Sequence, residues 1–312
     1  MNRVKRPACL FYVPETNKGI TRLQKESLPG IYTLIQPDMG LPLVFDSPHS
    51  GTVYPADFDY SCPFQALEKA EDKFVDELFM DAPDMGATLL AAEFPRSYID
   101  VNRCERDIDV DLLEDIWPEE IAATPRSHAG IGLIRRLVKP GLPLYTRHLK
   151  SSEIKARIET YYRPYHQALQ KVIEDLHYTH GQVWHINCHS MPTQEGNAFR
   201  ATPLKAADFV LGDRDGTTCD IAFTHAVRDF IRSMGYRVSI NDPYKGVELV
   251  RRYSAPSTGR HSLQIEVARN LYLNEENYHK SSNFNKMKAD INKLISFCAS
   301  YVQAQSLPLA AD

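Results

Sequence analysis

The chain has 312 residues, 43% of them hydrophobic and 24% charged, which places it among soluble, folded proteins with room for one large α/β domain or two smaller ones. Its 36 basic and 40 acidic residues give a net charge of −4, which argues against a general nucleic-acid binder but allows a local basic pocket for an anionic substrate. No apolar stretch approaches membrane-span length, the run Ala8 to Val13 is too brief for a signal-peptide core, and the six cysteines are scattered without a C-x-x-C pair, so a cytoplasmic protein without a disulfide framework is expected.

Residues 1 to about 30 are mixed in pattern and read as an arm or a short added strand. Leu41 to Gly51, LPLVFDSPHSG, has strand character at Leu43 to Phe45 and ends in a Pro-His-Ser-Gly turn. Leu67, Phe74, Leu78 and Phe79 predict an amphipathic helix over Leu67 to Phe79. Ala87 to Phe94 reads as a second strand, with Tyr98 to Val101 as a short extended continuation. From Arg106 to Leu149 the pattern is irregular and interrupted by Pro and Gly, as long loops that line functional sites often are.

Ser152 is the expected cap of a long helix reaching about His177, in which Ile154, Ile158, Tyr161, Tyr165, Leu169, Val172 and Leu176 recur at three- and four-residue steps. Pro164 inside that run predicts a kink or a break. Val183 to Asn187 is a buried strand with His189 at its end and Pro192 as its stop. A strand at Phe209 to Leu211, a helix from Cys219 to Met234 closed by Gly235, and strands at Tyr236 to Ile240 and Ser262 to Val267 follow, and a last helix is expected from about Glu276 to Tyr301. Strands alternating with helices, with no repeat or linker, predict one α/β domain over residues 1–312, its central sheet mixed, mostly parallel and flanked by helices.

His49 and His189 each follow a strand, where open α/β sheets place ligands and catalytic groups. A hydrolytic zinc site takes about three protein ligands and leaves one position for water. Asp72, in AEDKFVDEL, is the preferred third ligand, with Glu71 its rival by position; His148, His166, His185 and His261 are the competing histidines. Asp100 to Arg103, DVNR, brings an acid, an amide and a guanidinium together, and Arg suits bidentate carboxylate recognition, although an ion pair with Asp107 or Asp109 would also account for it. Glu266 interrupts the apolar strand LQIEVA; a carboxylate there is costly unless paired or used as a general base. Lys245, in the turn NDPYKG, is a candidate contact for a side-chain carboxylate, or else a solvated turn lysine.

Taken together, PHSG at 48–51, EDKFVDELF, RSYIDVNR at 96–103, PLYTRHL at 143–149, YYRPYHQAL at 161–169, NCHSMP at 187–192, VLGDRDGT at 210–217, NDPYKG at 241–246 and LQIE at 263–266 resemble the N-formylglutamate amidohydrolase family, related in fold to the zinc carboxypeptidases. The resemblance runs from about Leu41 to Leu273 and implies a zinc-dependent amide hydrolase, acting on a small N-acyl amino acid such as N-formyl-L-glutamate. It implies that His49, Asp72 and His189 hold one Zn2+ and that Glu266 is the general base. It also implies that Asp100 orients a zinc histidine while Asn102 and Arg103 bind the substrate carboxylate. The carboxypeptidase position for a zinc carboxylate, three residues after the first histidine, is here Thr52, so the carboxylate comes from elsewhere. A carboxypeptidase, a deacylase for another N-acyl amino acid and a non-catalytic binding protein are the alternatives. Neither a nucleic-acid nor a membrane partner is expected.

Overall fold

The stretch Val183–Met191 alternates, and as a strand it sends Trp184, Ile186 and Cys188 to one face and His185, Asn187 and His189 to the other. Its two parallel neighbours repeat the division. Phe45 and Asp46 of Leu43–Ser47 lie beside Ile186 and Asn187, and Leu263, Gln264, Ile265 and Glu266 of Arg260–Ala268 lie beside Ile186, Asn187, Cys188 and His189. Three central strands therefore present one apolar face and one polar face. The apolar face forms a core with Val75, Leu78, Phe223, Val227, Leu294 and Cys298 of the covering helices. The polar face carries Asp46, His185, Asn187, His189, Gln264 and Glu266.

The computed structural model describes residues 22–193 and 207–306; residues 1–21 of the expected N-terminal arm lie outside the described residues. The sheet has eight strands, β1 (Leu23–Leu28), β2 (Tyr32–Pro37), β3 (Leu43–Ser47), β4 (Thr88–Ala92), β5 (Val183–Met191), β6 (Phe209–Gly212), β7 (Val238–Ile240) and β8 (Arg260–Ala268). Their order is β1-β2-β4-β3-β5-β8-β6-β7. The pairs β4–β3, β3–β5, β5–β8 and β6–β7 are parallel and the other three antiparallel, so the sheet is mixed, as expected. The added strand foreseen near the N-terminus is β1, an edge strand paired with β2, which the sequence reading had not assigned. No described helix is long and apolar enough to cross a membrane, and the described cysteines are all free.

Four expectations need correction. The helix foreseen over 67–79 is two, α1 (Phe64–Ala70) and α2 (Val75–Phe79), separated by a bend in which Phe74 takes a left-handed φ of 65°. Tyr98 to Val101 is a turn whose register is set by Asp100 N–H donating to Leu133 O at 2.9 Å. The long helix α3 starts at Ser151, capped by Lys150 and Glu153 rather than Ser152, and runs unbroken over 151–180. Pro164 does not stop it. The five residues Ile158–Tyr162 widen into a π-turn just before it, which relieves the clash of the proline ring with the preceding turn. Lastly, Leu273–Asn274 and His279–Lys280 pair as a small hairpin, so the final helix begins later, at Phe284, and reaches Ser306. Shorter helices among the described residues include α4 (Ile221–Ser233) and α5 (Glu248–Tyr253), the second unforeseen.

Helix α3 backs the polar face of the sheet and the 98–103 turn. Tyr165 donates to Asp46 Oδ2 at 2.8 Å, Tyr162 to Arg103 O at 2.9 Å, and Arg157 to Tyr98 O at 3.1 Å. His166 links the two layers. Its Nε2 lies 2.9 Å from Val101 O, an acceptor only, so Nε2 carries the proton and Nδ1, 2.7 Å from Tyr253 Oη, accepts. Burial, then the charge of Arg252, pushes the imidazole down from 6.5 to about 3. The unfolded chain therefore binds a proton below pH 6.5 that the folded chain refuses, so the stabilisation is complete above 6.5 and is lost as pH falls toward 3. We expect wild-type stability to decline in this window by about 1.4 kcal/mol per pH unit more than that of His166→Gln. Urea midpoints of both proteins at pH 7.5 and 5.5 check this; parallel declines would contradict it.

Candidate metal centre and its cationic cavity

Three buried side chains from separate parts of the chain meet above the polar face. His49 follows β3 in the Pro-His-Ser-Gly turn, whose Gly51 packs so closely on the Glu93–Phe94 backbone that a Cβ would lie 2.3 Å from Glu93 C. His189 is not beyond its strand, as expected, but within the last third of β5, where pairing with β8 continues to Met191. Asp72 sits in the α1–α2 bend. That bend is stitched to the turn by Asp72 N–H donating to His49 O at 3.0 Å, and by Ser50 Oγ, which donates to Asp72 O at 2.9 Å and accepts from Asp76 N–H at 3.1 Å.

Asp72 Oδ2 lies 3.3 Å from His49 Nδ1 and 3.0 Å from His189 Nδ1, and one ligand atom from each of the three residues lies within 4.8 Å of the others. The nearer outer partner of each ring is an acceptor, Asp100 for His49 and Asn187 for His189, with Asn102 Nδ2 standing farther off, 3.1 Å from His189 Nε2. His49 Nε2 is 2.7 Å from Asp100 Oδ1, a carboxylate that can only accept, so Nε2 holds the proton and Nδ1 offers a lone pair. His189 Nε2 lies 2.7 Å from Asn187 Oδ1. The orientation of that amide is fixed from behind, because Asn187 Nδ2 donates to Asp46 Oδ1 at 2.8 Å. Burial would raise Asp46, but the charge of His185 and bonds from His185, Asn187 and Tyr165 hold it below its usual range, so it stays an acceptor. In the tautomer with both outer nitrogens protonated, two lone pairs and a carboxylate oxygen face one point. Such a set repels itself unless a cation sits between, and two imidazoles with one carboxylate suit Zn2+.

The acid in this set is secured by arginines. Arg269 Nη2 lies 3.1 Å from Asp72 Oδ1 and donates to Glu71 O at 2.7 Å, and Arg96 Nη2 donates to Asp100 Oδ2 at 2.8 Å. Burial alone would raise both acids; the neighbouring His189, His49 and Arg96 outweigh it at Asp72, and Arg96, His49 and Arg103 at Asp100, holding both well below the carboxylate range. Glu71, the rival ligand, turns away: Tyr54 donates to its Oε1, and its side chain lines a separate pocket with Glu68 and Asp76.

A cavity of about 580 Å³ opens over His49, Asp72 and His189 and is lined also by Asn102, Arg103, Lys245 and Glu266. Glu266 lies directly across from His189, with Gln264 Nε2 donating to its Oε1 at 2.8 Å. Burial, then the nearby His189 and Asp72, sets its carboxyl at about 7. Asn102 borders the cavity with its carbonyl oxygen accepting Leu249 N–H at 2.9 Å and Nδ2 3.1 Å from His189. Arg103 is 6% exposed, and its Nε has no hydrogen bond, Asp100 Oδ2 being 3.9 Å away. Lys245 reaches the cavity rim but is paired with Asp215 at 2.8 Å and more than half exposed. Arg135, also in the wall, was missed in the sequence. It lies in the irregular 106–149 stretch, where no periodicity marks an inward-facing side chain.

Residues 41–273 match the family model described as N-formylglutamate amidohydrolase. Two curated relatives, the N-formylglutamate deformylases of Pseudomonas putida and Pseudomonas aeruginosa, are 28% and 26% identical to this chain over 239 and 240 residues. The matched parts cover 75% and 76% of this chain and 83% and 84% of those proteins. The crystal structure of an N-formylglutamate amidohydrolase from Ralstonia eutropha JMP134 is 44% identical, with a TM-score of 0.86 over 88% of this chain and 99% of that one. A gene product of Agrobacterium tumefaciens, 18% identical with a TM-score of 0.54, shares the fold.

Proposed function

This chain belongs to the N-formylglutamate amidohydrolase family, and from that premise we propose that it hydrolyses N-formyl-L-glutamate to formate and L-glutamate, with Zn2+ held by His49, Asp72 and His189. The observation that carries this reading is that Glu266, a carboxylate poised at about 7, lines the same cavity as that converging triad. A cation at the triad supplies Lewis acidity to the formyl oxygen and acidifies the attacking water. Glu266 removes a proton from that water as its oxygen bonds to the formyl carbon. It then returns the proton to the amide nitrogen as the C–N bond breaks, so that glutamate leaves as an amine. Arg103 receives the α-carboxylate through its paired N–H groups, with Asn102 beside it, while Asp100 and Asn187 keep the ligand histidines in the binding tautomer. The chain acts as one catalytic domain, and its described cysteines, all free, suit a cytoplasmic setting.

Formate release from a panel of N-formyl and N-acetyl amino acids, with and without a chelator, tests this reading. N-formylglutamate is expected to be the best substrate, with turnover abolished by complete cation removal and restored by zinc. Undiminished turnover without the cation would remove the metal from the mechanism. Faster release of amino acids from short peptides would make the protein a carboxypeptidase. Tight ligand binding with no turnover of any acyl amino acid would make it a binding protein.

A further inference from the structure

The cavity contains more positive charge than its own acids neutralise. Arg269 is committed to Asp72 and the α1–α2 bend, Arg96 to Asp100, and Lys245 to Asp215. Lys69, Arg126 and Lys139 are exposed at the rim. Two guanidinium groups are left over. Among the described residues, Arg103 has no acid nearer than 3.9 Å, Arg135 makes no side-chain hydrogen bond or ion pair, and the Nε atoms of both are buried and unpaired. Burial, then repulsion from Arg96 and Arg103, lowers Arg135 to about 9, and for Arg103 burial is again the first cause, lowering it to about 10. Arginines whose Nε atoms are buried and unpaired, and which are crowded by like charge, form a seat for an anion.

Backbone contacts hold Arg135 firmly in the wall. Leu133, two residues before it, donates to Asp107 O at 3.0 Å and accepts Asp100 N–H at 2.9 Å, which ties the segment to the same turn that carries Arg103. Gly132 lies so close to Ser127 and Asp107 O that a Cβ there would come within 2.7 Å of both. Ile131 and Arg135 form an antiparallel bridge, so a tight, anchored loop presents the side chain.

We infer that Arg135 is the specificity residue for the second carboxylate of the substrate, so that Arg103 and Arg135 together select an N-acyl amino acid with an acidic side chain, and that Lys245 does not fill this role. The inference rests on the N-formylglutamate reading. A site built around a charge-assisted pair accepts the dicarboxylate and rejects its amide, because the amide leaves the guanidinium without a counter-charge.

The test compares wild type, Arg135→Gln, Arg135→Lys and Lys245→Met on N-formylglutamate and N-formylglutamine, with calorimetric binding of glutarate and butyrate as a readout independent of turnover. Wild type is expected to prefer N-formylglutamate and to bind glutarate more tightly than butyrate. Arg135→Gln should lose about tenfold to a hundredfold in kcat/KM on N-formylglutamate, chiefly through KM, with N-formylglutamine unaffected and the glutarate preference erased. Arg135→Lys should recover part of the glutarate affinity. Equal losses on both substrates, or none, would overturn the inference. So would loss of discrimination in Lys245→Met with Arg135→Gln normal, which would return the role to Lys245. A wild type inactive on every N-formyl amino acid would instead sink the functional reading itself, while a glutarate preference lost in Arg135→Gln would still support a dicarboxylate seat.

Discussion

Glu266→Gln is expected to lower kcat by about 100- to 10,000-fold while leaving the zinc content and KM close to wild type. The substitution keeps the shape of the side chain and the strand pairing with His189, and removes only the capacity to take and return a proton. Gln264 Nε2, which now donates to Glu266 Oε1, can donate equally to the amide oxygen of the variant, so the local hydrogen bond survives. The pH profile gives a second readout. An exposed glutamate would be ionised above about 4.5, whereas burial raises Glu266 to about 7 and a cation on the triad would pull it back down. Because a base acts when deprotonated, kcat/KM should rise with pH along an acidic limb between these values, and the limb should vanish in the variant. Steady-state kinetics from pH 4.5 to 8.5 with metal analysis of both proteins would show it. Near-normal turnover in Glu266→Gln would move the base elsewhere.

The legibility of this protein differs from residue to residue for identifiable reasons. The alternation around His185, Asn187 and His189 marks β5, and a carboxylate within LQIEVA marks Glu266, because a buried strand leaves few neutral explanations for charge. The same alternation marks the strand only to Asn187, because Cys188, His189 and Ser190 add no further bulky apolar residue. In fact every residue from Val183 to Met191 is buried, the polar ones against other polar groups. The bend at Asp72 was hidden because Leu67, Phe74 and Leu78 keep a helical spacing across it. Nothing local announces that Phe74 is left-handed or that Ser50 captures Asp76 N–H. Asn187 looked like an ordinary strand residue, since its role depends on Asp46, 141 positions away. Helix α5 was missed within a short polar stretch, yet its Leu249 N–H fixes Asn102. Patterns report which face is buried; long-range hydrogen bonds decide what the buried groups do.

Asp72→Ala should have the widest consequences of any single substitution, because in the proposed function this carboxylate serves the cation, and in the structure it pairs with two arginines. As a ligand it supplies the only negative charge among the three donors, so its loss leaves two neutral imidazoles, and stoichiometric zinc should no longer be retained through gel filtration. As a counter-ion it faces Arg269 at 3.1 Å and Arg96 at 3.8 Å in a setting where its own side chain is almost wholly excluded from water. Removing one partner of a buried pair leaves the other charge uncompensated, a loss of about 3–5 kcal/mol, which should appear in the urea unfolding of the zinc-free protein. Asp72→Asn separates the two roles: it keeps an oxygen toward Arg269 and the shape of the bend, so it should recover part of the stability but little of the zinc. Glu71→Gln is the decisive control. Its side chain faces Tyr54 and a different pocket, so zinc binding should persist. If Glu71→Gln sheds the metal while Asp72→Ala holds it, the ligand set must be redrawn around Glu71; if neither sheds it, the two histidines find their third partner outside this bend.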